Sequence, residues 1–510
     1  MHKYIRIIKS KPFFIAMAFL IQILAFILLL TWFSRRFFGL YFILVLLSFF
    51  ISVQVINRES DSSSKLLWVL VIMFMPVFGG VLYLLFGARK IPRELMIKDR
   101  QAASDYQRYA KQSIKVMKQE SDDFVLDKMV SLAWSNGYFP VYDHCSVQYF
   151  PSGEKQYQAF LKELSEAKSF IFMEFFIINQ SVMWDTILQI LIDKASEGVD
   201  VRLIYDDFGT ITYLPDKYDQ WLTSRGVKTH RFNPMKAQIA MQMNNRDHRK
   251  ILVVDGKVAF TGGCNISDEY INTRERFGHW KDMGVCIKGA AVETFTISFL
   301  QMWNYQEEEN TPYAPFIVKK ENQIRYDEPG YVIPFSDSPT DENYTGKYMH
   351  LNLLNASTNY FWITTPYLIL DDEMVSSLQL AVNNGVDVRI VVPAIPDKKA
   401  VYQVTKANYD ALIKKGVRIY EYSPGFIHGK VALSDDRSAL VGTVNMDFRS
   451  YYLHYECGVF MRDTSCLQEI HDDFEDIFSR SHEVTLEECE QVNFFLRQFR
   501  KILKVFGPML

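Results

Sequence analysis

The sequence predicts an α/β protein of two tandem, similar halves, each built on a mixed sheet and together forming a pseudo-dimer, preceded by N-terminal transmembrane helices. Three observations predict it. Beyond about residue 135 one pattern of motifs is stated twice; within each statement strand-like and helix-like segments alternate; and uncharged stretches of spanning length are confined to the first 90 residues. A chain of 510 residues also exceeds what one hydrophobic core usually supports.

The membrane region comes first. Pro12 to Phe33, Phe37 to Ile56 and Leu66 to Phe86 are each near the ~20 residues a helix needs to cross a hydrocarbon core. The first stretch ends in Ser34-Arg35-Arg36, not in the small residues of a cleavage site, so it reads as a permanent anchor. Basic residues flank the region on both sides: Lys3, Arg6, Lys9 and Lys11 before it, Arg89, Lys90, Arg93, Lys98 and Arg100 after it. The positive-inside rule then asks for an even number of crossings, and Pro76, Gly79 and Gly80 make the third stretch the easiest to break. Residues 1–90 are therefore expected to form a multi-pass anchor of two or three transmembrane helices in the cell membrane, with the catalytic part cytoplasmic. Residues 91–135, charged and helically periodic, suit a connector.

Residues 136–315 and 316–485 form the two halves. In the first, an apolar strand from Phe170 to Ile178 is followed by a helix around Trp184 to Ala195 and the strand-like run from Gly198 to Ile204. In the second, Tyr360 to Tyr367, Asp372 to Asn384 and Gly385 to Val391 repeat that order, and Gly-Val-Asp-Val-Arg occurs letter for letter in both. Arg225-Gly226-Val227-Lys228 and Lys415-Gly416-Val417-Arg418 extend the parallel.

The chemistry-bearing motif is duplicated as well. His248, Lys250 and Asp255 recur as His428, Lys430 and Asp435, and Asn265 recurs as Asn445, every pair 180 positions apart (248 to 428, 255 to 435, 265 to 445). Residues two apart on a strand share a face, so each half offers an imidazole and an ammonium side by side; the aspartates mark turns (Asp255-Gly256, Asp435-Asp436). Two imidazoles suffice for phosphodiester exchange without a metal, one as nucleophile and the other as acid and base, while lysines and asparagines hold the phosphate oxygens. A carboxylate must orient each imidazole, and Asp282 and Glu456, following the two motifs at comparable distances, are the candidates.

At these residues the sequence resembles the phospholipase D superfamily, whose mark is the duplicated H-x-K-x4-D motif. The stretch Met243 to Tyr270, with Tyr205-Asp206-Asp207-Phe208-Gly209, Thr365-Pro366-Tyr367 and Val441 to Ser450, resembles bacterial cardiolipin synthases more narrowly. The resemblance implies two phospholipase D-like halves, phosphatidyl transfer between two phosphatidylglycerols at a lipid bilayer, His248 as nucleophile and His428 as general acid and base. A hydrolytic phospholipase D, or a transferase with another donor or acceptor, would use the same residues, and a non-catalytic membrane scaffold is the reading from a different class. Glu174 has Thr364 or Thr365 at its counterpart, so symmetry need not extend beyond the motifs.

The remaining features bound the partners. A net charge of −3 argues against nucleic-acid binding. The sequence has no phosphate-binding glycine loop and no metal-ligand spacing, so neither cofactor nor metal is expected. Residues 486–510 form a basic amphipathic tail, with Phe495, Leu496, Phe499, Ile502, Leu503 and Phe506 on one stripe, fit either for an anionic membrane surface or for packing on the protein.

Overall fold

A computed structural model describes residues 28, 31–32, 36–58, 61–75, 78–87, 97, 123–234, 245–307, 309–341 and 343–509. The chain divides into two compact units, Met1–Arg89 and Lys90–Leu510.

In the first unit, helix α1 (Phe38–Asn57) has 20 residues with a mean hydropathy of 2.4, enough to cross a membrane; among the described residues it is the only such helix. Phe42, Ile43, Phe49 and Phe50 are exposed along it while Ser48 and Ser52 are buried, the reverse of a water-facing helix. The third apolar stretch does not form one span. Helix α2 (Ser62–Phe74), capped by Asp61 through Ser64 N–H at 2.7 Å, has 13 residues, and the chain then breaks before a short helix, Gly79–Leu82, that runs into a π-helical turn, Tyr83–Gly87. A Cβ at Gly79 would fall 2.5 Å from Val71 O, so the fold-back requires glycine there. Of the expected two or three crossing helices one lies among the described residues; the first stretch, Pro12 to Phe33, lies almost wholly outside them.

Most of the expected connector also lies outside the described residues. Its last part is no linker: helix α3 (Phe124–Gly137), capped by Asp123, buries Leu126, Met129, Val130 and Ala133 in the core of the second half. The two-residue strand Tyr142–Asp143 likewise pairs with the second sheet, covering its edge.

The first half is a seven-stranded sheet. Its strands are β1 (Ser146–Phe150), β2 (Phe170–Phe175), β3 (Asp200–Asp206), β4 (Lys228–Phe232), β5 (Lys250–Val254), β6 (Val258–Gly262) and β7 (Gly284–Lys288), in the order β1-β7-β6-β5-β2-β3-β4. The second half contributes β8 (Tyr331–Asp337), β9 (Tyr360–Thr364), β10 (Asp387–Pro393), β11 (Arg418–Tyr422), β12 (Lys430–Ser434), β13 (Ser438–Gly442) and β14 (His454–Arg462), in the order β8-β14-β13-β12-β9-β10-β11. The two orders are the same scheme. β2, β3 and β4 are parallel, as are β9, β10 and β11, and the other pairings within these seven-strand sets are antiparallel, so both sheets are mixed.

Helices α4 (Gly153–Ser165) and α5 (Val182–Ser196) cover the first sheet, α7 (Thr345–Ala356) and α8 (Asp372–Asn383) the second; α5 and α8 start at side-chain caps, Ser181 and Asp371. The central strands are apolar on both faces because both are covered. Ile251 and Val253 enter a cluster that also holds Phe172, Trp362, Val431 and Leu433, while Leu252 and Val254 face Phe160 and Trp184. That shared cluster, with Phe295 and Phe299 of α6 (Val292–Asn304) and Ile470 and Phe474 of α10 (Leu467–Ser479), welds the two sheets into one core.

The glycines ending β6 and β13 each lie tight against the neighbouring strand of their own sheet. Gly262 has φ +151°, and a Cβ there would fall 2.5 Å from Met283 O and Gly284 Cα; one at Gly442 would strike Cys457 O. Gly262→Ala is expected to destabilise the protein by more than ~2 kcal/mol, read as a lowered Tm in detergent, with no loss of turnover per folded molecule.

Candidate active site

Each motif strand is led in by a short pairing with the opposite half. Arg246–Asp247 runs parallel to the start of β14, pairing Arg246 with His454 and Asp247 with Tyr455; Gly425–Ile427 runs parallel to His279–Lys281. The next residue in each case is the motif histidine. His248 N–H donates to Tyr455 O at 2.9 Å and His428 N–H to Lys281 O at 2.7 Å, which clamps each histidine backbone beside the carboxylate-bearing strand of the other half.

The side chains follow. His248 Nδ1 lies 2.9 Å from Glu456 Oε2, and His428 Nδ1 lies 2.8 Å from Asp282 Oδ2. Each imidazole is therefore oriented by the half it does not belong to, leaving Nε2 as the working nitrogen. Lys250 Nζ donates to His248 O at 2.6 Å, and Lys430 Nζ stands 3.0 Å from both ring nitrogens of His428. All six side chains are buried.

Burial and crowding set the charges. Burial, then Lys250, His454 and Lys430, hold His248 well below the ordinary imidazole value; burial and Lys430 bring His428 to about 4, with Asp282 opposing. That His428 acts on His248, and Lys250 on His428, places both motifs in one electrostatic neighbourhood. Burial also lowers Lys250 to about 8 and Lys430 to about 7. The two carboxylates differ. Burial pushes Glu456 up against the pull of Lys250 and Thr443, whereas in Asp282 the same burial is outweighed by His428 and Lys430, so its carboxyl stays below the usual range.

Aromatic rings pack around the imidazoles. Phe176 stands edge-on to His248 at 5.2 Å between centroids; Tyr270, Trp280 and Phe426 surround His428 at 5.5, 5.3 and 5.8 Å. Asn265 joins the first-half loops, accepting from Ile177 N–H at 3.0 Å and donating to Tyr270 Oη at 2.9 Å. Asn445 is buried with no partner for Oδ1.

The motif aspartates lie elsewhere. Asp255 and Asp435 close the far ends of β5 and β12, a strand's length of about 16 Å from the lysines, so the structure does not bring them to the imidazoles. Asp255 accepts the N–H groups of Lys168, Ser169 and Phe170; Asp435 accepts those of Thr358, Asn359 and Tyr360. They pin the turn after the motif strand to the start of its neighbour, which corrects their grouping with the residues of the chemistry.

Three further features were not singled out from the sequence. Arg249, between the motif His248 and Lys250, is buried against Glu174 Oε1 at 2.5 Å and Asp247; the counterparts are Gly429 and Thr364, whose Oγ1 donates to Gly429 O at 2.9 Å. Thr443 Oγ1 donates to Glu456, where its counterpart Gly263 has no room for a side chain beside Asp282. His454, two residues before Glu456, packs 5.5 Å from His248 in the place that Trp280 takes beside His428, and its Nδ1 has no hydrogen-bond partner. The signal for all three was the mismatch between the two copies. His248, His454 and Glu456 also bring one ligand atom each within 4.8 Å of one another, a spacing that fits a metal ion and that the sequence did not suggest. Lys250, whose Nζ donates to His248 O and whose charge acts on His454 and Glu456, opposes a second cation there.

Two mixed sheets of one topology, facing paired histidine–lysine motifs, define a phospholipase D-like protein. The family model described as "Cardiolipin synthase, PLD-like domain" matches residues 160–303 and 350–478, and one described as "Phospholipase_D-nuclease N-terminal" matches 46–87. The chain is 40% identical to an uncharacterized protein of Streptococcus mutans over 90% of this chain and 99% of that one. It is 31% identical to cardiolipin synthase 2 of Bacillus anthracis (91% and 90%) and 30% identical to a cardiolipin synthase of Geobacillus thermodenitrificans (97% and 99%). In fold it is similar to phosphatidylserine synthase of Haemophilus influenzae, with a TM-score of 0.56, 16% identity and coverage of 71% of this chain and 93% of that one. The chain belongs to the bacterial cardiolipin synthase family of the phospholipase D superfamily and is a membrane-associated phosphatidyltransferase of that type.

Two outcomes follow from the charges and contacts. Lysines lowered to about 7 and about 8 are charged below those values and neutral above them, so kcat/KM should fall as pH rises through 7 to 8, with KM carrying the loss. Glu456→Gln should cut kcat at least ~10²-fold, whereas Asp255→Ala should lower Tm with kcat kept, since it releases the Lys168, Ser169 and Phe170 N–H groups at a turn away from the imidazoles.

Proposed function

We propose that the protein is a cardiolipin synthase that transfers a phosphatidyl group from one phosphatidylglycerol to another and releases glycerol. His248 Nε2 attacks phosphorus and the bond to the glycerol oxygen breaks; His428 gives that oxygen its proton. A hydroxyl of the second phosphatidylglycerol then loses its proton to His428 and attacks, the phosphorus–nitrogen bond breaks, and His248 is restored. Lys250 and Lys430 neutralise the non-bridging oxygens, with Asn445 and Asn265 as further candidates beside them.

The observation that carries this reading is the pair of imidazoles, each oriented by a carboxylate of the opposite half. The inequality of the carboxylates supports the division of roles. Asp282, held as an anion, favours an imidazolium at His428, the state a proton shuttle must visit; His248, held well below the ordinary imidazole value by burial and Lys250, keeps the lone pair of a nucleophile. The basic flanks of the N-terminal region favour a cytoplasmic catalytic part.

Purified protein given labelled phosphatidylglycerol should yield cardiolipin and glycerol in equal amounts, and His248→Ala should lower the rate at least ~10³-fold. Phosphatidic acid as the product would make it a hydrolase, and unchanged cardiolipin formation in cells carrying only His248→Ala would sink the catalytic reading.

A further inference from the structure

The C-terminal helix α11 (Phe494–Val505) is docked with its polar side toward the protein. Its sequence holds four basic and no acidic side chains, and none of its residues is buried. Arg500 Nε donates to Gln403 Oε1 of α9 (Lys399–Ile413) at 2.9 Å, Arg497 Nη2 donates to Glu490 O at 2.5 Å, and Leu503 rests on the second-half core. The apolar stripe turns outward. Phe495, Phe499, Ile502 and Phe506, at the spacing of one helical face, are 79%, 50%, 60% and 42% exposed, and Phe494 beside them is 65% exposed. Such a stripe needs a cover that water does not provide.

The helix is also tied to the active site. The turn Gly507–Met509 that ends it receives Arg449 Nη2 on Met509 O at 3.1 Å, and Gly507 packs on Ile369. Arg449 belongs to the helical turn Phe448–Tyr452 leading into β14, and of the charged groups acting on His454, the neighbour of His248, it acts most strongly.

We propose that the outer face of α11 lies in the surface of an anionic phospholipid bilayer. The aromatic stripe enters the headgroup–acyl boundary, and the exposed Lys501 at its flank reaches lipid phosphates. A second copy of the chain would also cover the stripe. It would set two helices of four basic and no acidic side chains against one another, so the charge favours the anionic lipid surface. The inference rests on the proposed phosphatidyl transfer only for the choice of lipid.

The test uses the full chain in vesicles of phosphatidylglycerol and phosphatidylcholine, with the photo-crosslinker p-benzoylphenylalanine at position 499 and, as control, at the exposed Glu197. Lipid adducts at 499 well above the control are expected. The double variant Phe495→Glu/Phe499→Glu should lose about tenfold or more of its turnover in vesicles and stay within about twofold of the parent in mixed micelles. Protein–protein adducts at 499, labelling no greater than the control, or equal loss in vesicles and micelles would overturn the proposal. A parent chain that makes no cardiolipin overturns the transfer reading, and the crosslink still decides the docking.

Discussion

The structure depends on an exchange. Glu456 of the second half holds His248 of the first, and Asp282 of the first half holds His428 of the second. The exchange reaches the main chain, since each histidine N–H is bound to the carbonyl preceding the borrowed carboxylate. Neither half by itself contains an oriented imidazole. The duplicated sheets therefore have to meet in one register, and the apolar cluster shared by both, reinforced by the Lys281–Asp473 pair at 2.5 Å, holds that register.

The same arrangement explains how ionised groups survive at such depth. Two lysines and two carboxylates would each be costly to bury alone, and removing one would leave its partner's charge uncompensated. Placed reciprocally, they offset one another while burial still pulls both lysines and both imidazoles toward neutrality. An incoming phosphate diester meets charge that is already fixed and dry, so little reorganisation is left for the reaction itself.

The two copies share the motifs and differ beside them. Where the first half has Arg249 on Glu174, the second has Gly429 on Thr364; where the second has Thr443 and His454 beside Glu456, the first has Gly263 and Trp280 beside Asp282. The two carboxylates also shift in opposite directions: His428 and Lys430 outweigh burial at Asp282, whereas Lys250 and Thr443 do not outweigh it at Glu456. Two equivalent histidines would compete for one role; two unequal ones can divide the work.

Much of this was legible in the residues. The repeat, the mixed sheets and both histidine–lysine pairs are written in strand periodicity and in the offset of 180 between the motif copies, because strands and motifs are local. The two supporting carboxylates follow their motifs at the comparable distances of 34 and 28 residues (282 − 248 and 456 − 428). The turn aspartates could be seen as turn residues, though only the contacts of Asp255 and Asp435 separate them from the chemistry. The break in the third apolar stretch was signalled by Pro76, Gly79 and Gly80; the inward turn of α11's arginines was not signalled, since a helical wheel gives a face and not its neighbour. What only the tertiary structure decided is which carboxylate serves which histidine. The partners stand 208 and 146 residues apart, and two halves of one topology offer each imidazole two choices of carboxylate. Only the packing of one sheet against the other distinguishes them.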